Sequence, residues 1–344
     1  MGAPFVDLST DSARLLRMLR ELRLADADES PRVQTLSGGV SSNIVSVELR
    51  RGPVCVKQAL PKLKVDKDWR VPTDRVFAEI DWLRTAAAIV PGHVPQVLGV
   101  DEPLGAFVME MLPASEHANW KAELLAGRPH AEAGAQMGDL LGRLHASTSR
   151  DAALAQRFAN DANFFALRLD PYLLETARQN PDLSGELVAL VHTTQTNAHA
   201  LVHGDVSPKN ILLGMHGPVL LDAECAWWGD PAFDLAFLLN HMLLKSVRLP
   251  WLARDCAALF TGITDAHAPH VTWEPPHAFE ARAAALLPAL LLARVDGKSP
   301  VEYLSEAQRA QVRAVARPLV REPRQRLRDV LALVQATLPE TGVA

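Results

Sequence analysis

Leu201–Glu224 reads LVHGDVSPKNILLGMHGPVLLDAE, and this stretch decides the fold. Two short apolar runs, Ile211 to Leu213 and Val219 to Leu221, are rich in residues that favour strands. Two glycines and a proline lie between the runs, where a chain reversal needs turn formers. The pattern therefore predicts a β-hairpin.

Polar residues that are costly to bury stand at both ends of this hairpin. His203, Asp205 and Asn210 precede it, and Asp222 and Glu224 follow it. Because a hairpin brings its two ends to one edge, we expect Asp205, Asn210 and Asp222 to lie together. Oxygen ligands of this kind suit a hard cation such as Mg²⁺, with one carboxylate left to accept a proton.

The order His203-Gly204-Asp205, then Asn210, then Asp222-Ala223-Glu224 resembles the aminoglycoside phosphotransferase and choline kinase family of small-molecule kinases. The fold of that family is similar to that of protein kinases, whose catalytic loop reads His-Arg-Asp with an Asn five residues after the Asp. Gly204 in place of the Arg favours the small-molecule branch. Ala223 departs from the family, which more often has an aromatic residue there.

The resemblance implies a role for each of these residues in phosphoryl transfer from ATP. Asp205 would be the catalytic base, and Asn210 and Asp222 would bind Mg²⁺. His203 would order the loop through a backbone hydrogen bond, and Asp234 would hold the loop backbone. Lys209, next to Asn210, is interpreted as a solvated loop lysine, with contact to the transferring phosphate as the alternative.

The N-terminal third carries candidate nucleotide-binding residues in the order that the resemblance requires. Val54-Cys55-Val56-Lys57 predicts a strand that ends in the lysine that pairs with ATP phosphates, and Glu79, on the helix after Pro72-Thr73, is its candidate partner. A turn of small residues can approach a phosphate closely, and its candidates are Gly38, Gly39, Ser41 and Ser42. The resemblance also implies a hinge whose backbone would contact adenine, near Glu110, Met111 and Leu112.

These patterns predict an α+β, two-lobed, protein-kinase-like fold. Residues 1–112 would form a small nucleotide-binding lobe with an antiparallel sheet and a helix, and residues 113–344 a larger lobe for catalysis and substrate binding. The larger lobe is predicted to be helical apart from the hairpin, since its apolar residues recur at helical spacing. An amphipathic helix at residues 11–24 is expected to pack on the small lobe.

Net charge, cysteine content and the length of the apolar runs indicate which partners and which compartment to expect. The 344 residues carry a formal net charge of −5, whereas proteins that bind nucleic acid are usually basic. Cys55, Cys225 and Cys256 are widely spaced and odd in number, which favours a reducing cytoplasm over a disulfide framework. The most apolar run, Ala283 to Ala293, is shorter than the roughly 18 residues of a membrane span and predicts a buried helix. We therefore expect a cytoplasmic protein without nucleic-acid or membrane partners, and the sequence carries no signal for an oligomeric state.

The acceptor hydroxyl is not identified by the sequence. An aminoglycoside, an amino alcohol or a sugar-like compound would all fit. Candidate acceptor-binding residues are Glu224, Trp228, Asp170 and Arg294, with Trp227, Arg168, Tyr172, Asp296 and Lys298 near them in sequence. His267, His270 and His277 have spacing that suggests metal ligands, but they lack an accompanying set of carboxylates or cysteines, so we interpret them as histidines of a surface loop.

Two other readings compete with the small-molecule kinase. A nucleotide-binding pseudokinase or scaffold would lack a catalytic part, and all five expected parts are present in the sequence. A protein kinase is disfavoured by Gly204, by the absence of Asp-Phe-Gly and by the lack of a recognisable activation segment.

Overall fold

The computed structural model of the protein describes residues 5–36, 41–64 and 71–338. The chain divides into two units, Met1–Pro113 and Ala114–Ala344. The roles assigned above to residues 1–112 and 113–344 remain predictions.

A five-stranded antiparallel sheet with strand order β1-β2-β3-β5-β4 organises the first unit. Its elements are α1 Ser12–Glu21, β1 Arg32–Thr35, β2 Ser42–Leu49, β3 Gly52–Ala59, α2 Arg75–Ile89, β4 Val97–Asp101 and β5 Ala106–Glu110. Residues 54–59 of the central strand β3 are all buried, which is the expected result for a strand covered on both faces.

The helix predicted at residues 11–24 is present as α1. The Asp11 side chain accepts a hydrogen bond from the Arg14 backbone N–H, which caps the helix start. Leu15, Met18 and Leu19 lie on its buried face and belong to one apolar cluster with sheet residues of β2, β3 and β5. The amphipathic pattern therefore predicted both the helix and its packing partner.

The second unit is mostly helical. Its helices are α3 Trp120–Leu125, α4 Ala131–Thr148, α5 Ala152–Arg157, α6 Asp161–Phe164, α7 Glu175–Gln179, α8 Ser184–Thr196, α9 Pro231–Arg248, α10 Ala253–His267, α11 Pro276–Asp296, α12 Glu306–Arg321 and α13 Leu327–Gln335, with a π-helix at Phe165–Leu174. As predicted, residues 283–293 lie in a helix, α11, and are buried except for the half-buried Ala285. None of the helices in the described part of the chain combines the length and apolarity that crossing a bilayer requires.

The hairpin predicted from the sequence is present, and the rest of this unit is mostly helical, as predicted. The hairpin strands β8 Ile211–Gly214 and β9 Gly217–Leu220 pair around a two-residue turn. Three further short strands are β6 Ala118–Asn119, which pairs with β8, and β7 Ala200–Val202 and β10 Trp227–Gly229, which pair with each other. Strands of two or three residues are too short to show the alternation by which a strand is recognised.

Arg75, at the start of α2, binds backbone carbonyls from three stretches of the first unit. Its guanidinium donates to the backbone carbonyls of Val71, Pro72, Ser41 and Leu60 at 2.6–3.2 Å, and the residue is only 2% exposed. Buried carbonyls without partners are costly. The Ser41 carbonyl also accepts from the Leu60 backbone N–H, so Arg75 adds a second donor there and supplies donors to the other three carbonyls.

We expect Arg75→Met to lower the free energy of unfolding by about 2–4 kcal/mol, because it removes these donors and leaves buried carbonyls unsatisfied. Urea titration followed by circular dichroism measures the change. Arg84→Met is the matched control, since Arg84 is exposed on the same helix, and it should change stability by less than about 0.5 kcal/mol. Equal losses in the two variants would contradict the role assigned to Arg75.

Candidate active site

Lys57 and Glu79 form the ion pair predicted from the sequence. The Lys57 Nζ lies 2.8 Å from Glu79 Oε1 and 2.7 Å from Oε2, and the two residues are 2% and 1% exposed. Lys57 belongs to β3 and Glu79 to α2. A buried charge without its partner is costly, so the two side chains stay in contact and each holds the other in position.

The other nucleotide-binding candidates fall on the same unit. Ser41 and Ser42 are buried where β2 begins, whereas Gly38 and Gly39 lie outside the described residues. Glu110 ends β5, and its backbone N–H donates to the Gln96 carbonyl. Met111 and Leu112 follow as non-regular, half-buried backbone. Their contacts with a nucleotide stay predictions.

The candidate catalytic loop is held at its start by one carboxylate. The Asp234 Oδ2 and Oδ1 accept hydrogen bonds from the backbone N–H groups of His203 and Gly204, both at 2.8 Å. Asp234 lies in the first turn of α9 and is fully buried. The predicted supporting role of Asp234 is therefore confirmed.

His203 closes the loop from the inside. Its Nε2 lies 3.1 Å from the Leu221 carbonyl, and its Nδ1 lies 3.1 Å from the backbone N–H of Asp205. This geometry assigns the proton to Nε2, which donates, while Nδ1 accepts. Burial lowers the pKa of His203, which favours the neutral ring that the two bonds require. The imidazole thus links the residues before and after the hairpin, as predicted.

Gly204 is required by the local geometry. Its φ is +79°, a conformation that residues with a Cβ rarely adopt, and a Cβ there would lie 2.8 Å from the Cβ and the carbonyl oxygen of Cys225. The glycine that distinguishes this loop from His-Arg-Asp is therefore a steric requirement of the turn in this chain.

Asp234 is also contacted by His145, which in turn contacts a second histidine, His267. His145 Nε2 lies 3.3 Å from Asp234 Oδ2, and His145 Nδ1 lies 3.1 Å from His267 Nε2. His267 is fully buried at the end of α10, so interpreting it as a surface-loop residue is wrong. His270 bonds to Asp139, and His277 is exposed. The sequence missed the role of His267 because its partner His145 lies 122 residues away.

Asp205 is held between two cations. Its Oδ2 lies 2.9 Å from Arg168 Nη2 and 3.0 Å from Lys209 Nζ. Burial alone would raise the pKa of Asp205, but the charges of Arg168 and Lys209 bring it below its ordinary value. The carboxylate is therefore ionised at neutral pH. Lys209 is 46% exposed, as expected of a solvated loop lysine, and in addition it contacts Asp205 directly.

Arg168 was expected near an acceptor, but it is a buried clamp on the catalytic loop. Besides Asp205 it contacts the Gly204 carbonyl through Nε, and its guanidinium carbon lies 5.6 Å from the Tyr172 ring centroid and 5.7 Å from that of Phe237. It is carried by the π-helix, which contains Pro171. Because a proline lacks the N–H of a regular α-helical ladder, it accounts for the wider turns at this point.

Asn210 and Asp222 meet at the open end of the hairpin. The Leu221 backbone N–H donates to the Asn210 carbonyl at 2.9 Å, and the Asn210 Nδ2 donates to the Asp205 carbonyl at 3.1 Å. Lys209 Nζ lies 3.9 Å from Asp222 Oδ2. The hairpin therefore brings Asp205, Asn210 and Asp222 together, as its pattern predicted.

The chemistry of this donor set fits a magnesium ion. With its Nδ2 donating to the loop, Asn210 offers its amide oxygen, and Asp222 offers a carboxylate that is one-quarter exposed. In the described part of the chain no cluster of three His, Cys, Asp or Glu side chains could hold a metal by itself. Mg²⁺ is commonly bound by one or two protein oxygens together with substrate phosphates, so a sparse oxygen set is suitable.

The four candidate acceptor residues have different surroundings in the structure. Asp170 forms ion pairs with Arg178 at 2.6 Å and Lys298 at 2.8 Å, and thereby joins the π-helix to the loop after α11. Glu224 is buried, with its carbonyl bonded to Asn163, and Trp228 is half-buried in β10. Arg294, in contrast, lines a pocket beside Pro208 and Lys209. Binding of an acceptor by any of the four stays a prediction.

Comparison with known proteins identifies relatives of this arrangement. Residues 32–270 match the model of the phosphotransferase enzyme family. The methylthioribose kinase of Pectobacterium atrosepticum is 31% identical over 237 residues, a match that covers 60% of this chain and 58% of the relative. The chain thus matches less than two thirds of that relative's length.

Two solved structures share the fold. The amicoumacin kinase hAmiN, determined with AMP-PNP and Ca²⁺, gives a TM-score of 0.54 at 15% identity and covers 94% of this chain and 98% of its own. A choline/ethanolamine kinase family protein from Mesorhizobium loti gives 0.51 at 19% identity, with 95% and 99% covered. The predicted fold class, α+β and protein-kinase-like, is therefore confirmed.

We expect Gly204→Ala to lower the free energy of unfolding by about 2 kcal/mol or more, since it combines left-handed strain with a clash against Cys225. Thermal or urea unfolding measures the loss. Gly185→Ala is the matched control, because Gly185 lies in α8 with open space where its Cβ would be. It should be neutral or slightly stabilising. A Gly204→Ala variant as stable as Gly185→Ala would disprove the steric argument.

Proposed function

Because the chain belongs to the phosphotransferase enzyme family, we propose that it transfers the γ-phosphate of ATP to a hydroxyl group of a small molecule. The observation that carries the proposal is the setting of Asp205. It is an ionised carboxylate on an anchored loop, beside the amide of Asn210 and the carboxylate of Asp222.

Asp205 acts as the base that orients the acceptor hydroxyl and accepts its proton. Its lowered pKa suits a loose transition state, in which the attacking oxygen forms little bonding before the leaving oxygen departs. A carboxylate that stays ionised aims the hydroxyl at phosphorus and takes the proton late. Arg168 fixes one oxygen of Asp205, so this side chain is held in one orientation.

Asn210 and Asp222 would hold Mg²⁺, which neutralises phosphate charge when bound. Lys57, fixed by Glu79, would bind the nucleotide phosphates, with Gly38, Gly39, Ser41 and Ser42 as further phosphate contacts and Glu110, Met111 and Leu112 as the adenine contacts. Lys209 is suited to hold developing negative charge, because its ammonium lies within 4 Å of both Asp205 and Asp222.

The relatives supply candidate acceptors. Methylthioribose is the substrate that the name of the sequence relative gives, and choline or ethanolamine and amicoumacin are those that the names of the structural neighbours give. A pseudokinase would lack at least one catalytic part, and this chain has Lys57, Glu79, Asp205, Asn210 and Asp222. A screen of hydroxyl acceptors by coupled ADP release, with a protein substrate as comparison, tests the proposal.

We expect Asp205→Asn to lower the rate of phosphoryl transfer by at least about 100-fold, since an amide cannot accept the proton. Affinity for Mg²⁺-ATP, measured by calorimetry, should change little. Asp265→Asn, the same change at an exposed position of α10, is the control and should keep full activity. Undiminished turnover in Asp205→Asn would remove this residue from the role of base.

Nucleotide binding is tested best by replacing both members of the buried ion pair. Exchanging a buried pair for apolar residues of similar size is often neutral for stability, so Lys57→Met with Glu79→Leu should leave the unit folded. We expect affinity for Mg²⁺-ATP to fall by at least about tenfold, because the phosphate-binding ammonium is gone. A folded double variant that binds ATP with unchanged affinity would contradict the assignment of Lys57.

A further inference from the structure

A small open pocket, with a cavity volume of about 20 Å³, lies beside the turn that carries Pro208 and Lys209. Four cationic side chains line it, namely Lys121, Lys209, Lys245 and Arg294. Among its lining residues Glu302 is the carboxylate, and it is paired with Lys121 at 2.5 Å. The pocket therefore carries a net positive charge next to the candidate catalytic loop.

Lys245 is the most unusual of these groups. It is 1% exposed on α9, and its ammonium lies 3.9 Å from the centre of the Tyr303 ring. Burial, together with the nearby charges of Lys121 and Arg294, lowers the pKa of Lys245 to about 7. A buried lysine is costly unless a partner compensates its charge, and a ring face compensates only a small part.

Three further polar atoms of the pocket are buried and have no hydrogen-bond partner. They are His241 Nε2, Arg294 Nε and the Tyr303 hydroxyl. His241 and Lys245 are one helical turn apart on α9, so both face the same side. Buried polar atoms are almost always satisfied, and several orphans around one positively charged pocket indicate a missing ligand that accepts hydrogen bonds.

We propose that this pocket binds an anionic group, a carboxylate or a phosphate ester, on the acceptor molecule. An anion would relieve the mutual repulsion of Lys121, Lys245 and Arg294, and its oxygens would accept from the orphaned donors. The acceptor is then a hydroxyl compound that bears negative charge, such as a sugar acid or a sugar phosphate. Cationic acceptors such as aminoglycosides and choline are disfavoured by like-charge repulsion.

This inference rests on the proposed function only in identifying the bound molecule as the phosphoryl acceptor. Binding of the anion itself is measured without any phosphoryl transfer. Calorimetric titrations use inorganic phosphate, gluconate and ribose 5-phosphate, with glucose and ribose as the neutral partners at matched ionic strength. We expect at least one of the anionic compounds to bind at least tenfold more tightly than the neutral ones. Lys245→Met should weaken that binding by tenfold or more.

Arg248→Met is the matched control, because it removes one positive charge from the exposed end of the same helix α9 and should leave the affinity unchanged. Tyr303→Phe removes only the orphaned hydroxyl and should weaken anion binding while the fold is retained. Failure of all three anionic probes to bind, or equal weakening in Lys245→Met and Arg248→Met, would overturn the proposal.

The nucleotide is the other possible source of an anion. The titrations are therefore repeated with Mg²⁺ and a non-hydrolysable ATP analogue present. Unchanged affinity for the anionic probe assigns the pocket to the acceptor, whereas competition assigns it to the nucleotide phosphates and overturns the proposal. Loss of ADP release with every acceptor, alongside intact anion binding, would instead count against the proposed function alone.

Discussion

The buried carboxylate of Asp234 is the interaction on which the candidate catalytic loop depends. It accepts two backbone N–H groups in succession, and these belong to the residues immediately before Asp205. Hydrogen bonds to a charged group are each worth about 1.5–3 kcal/mol, which is enough to hold a loop in one conformation. Because Asp234 is part of α9, the loop takes its position from a helix that is buried along most of its length.

Two groups of charged residues in the second unit differ in how far opposite charges nearby compensate them. Around Asp205 opposite charges meet at 2.9–3.0 Å, so the desolvation of Asp205 and Arg168 is offset by their attraction. Around Lys245 like charges gather, with Glu302 as the counterweight. The charges of the first group are balanced by other side chains of the protein, whereas those of the second would be balanced by a bound anion. Lysine and arginine thus stabilise the loop where they pair with a carboxylate, and they favour an anionic ligand where they cluster without one.

The sequence predicted those parts of the molecule in which chemistry and local pattern coincide. The hairpin, the Lys57–Glu79 pair and the convergence of Asp205, Asn210 and Asp222 follow from short patterns or from an ordered motif. Arg168 and Lys245 did not follow, because their partners are set by tertiary packing. Arg168 contacts a loop 36 residues away. Lys245 directly follows the apolar residues Met242 to Leu244 of α9, and a charged residue next to such a run was the signal that could have revealed it.

Asp222 has a left-handed backbone, with φ of +68°, at the first residue after the hairpin. Glycine, asparagine and aspartate are the residue types that enter this region at low cost, whereas β-branched residues rarely do. Of those three, aspartate alone brings a full negative charge. Aspartate therefore combines, at this one position, a side chain that tolerates the left-handed backbone with the charged oxygens that a cation would require.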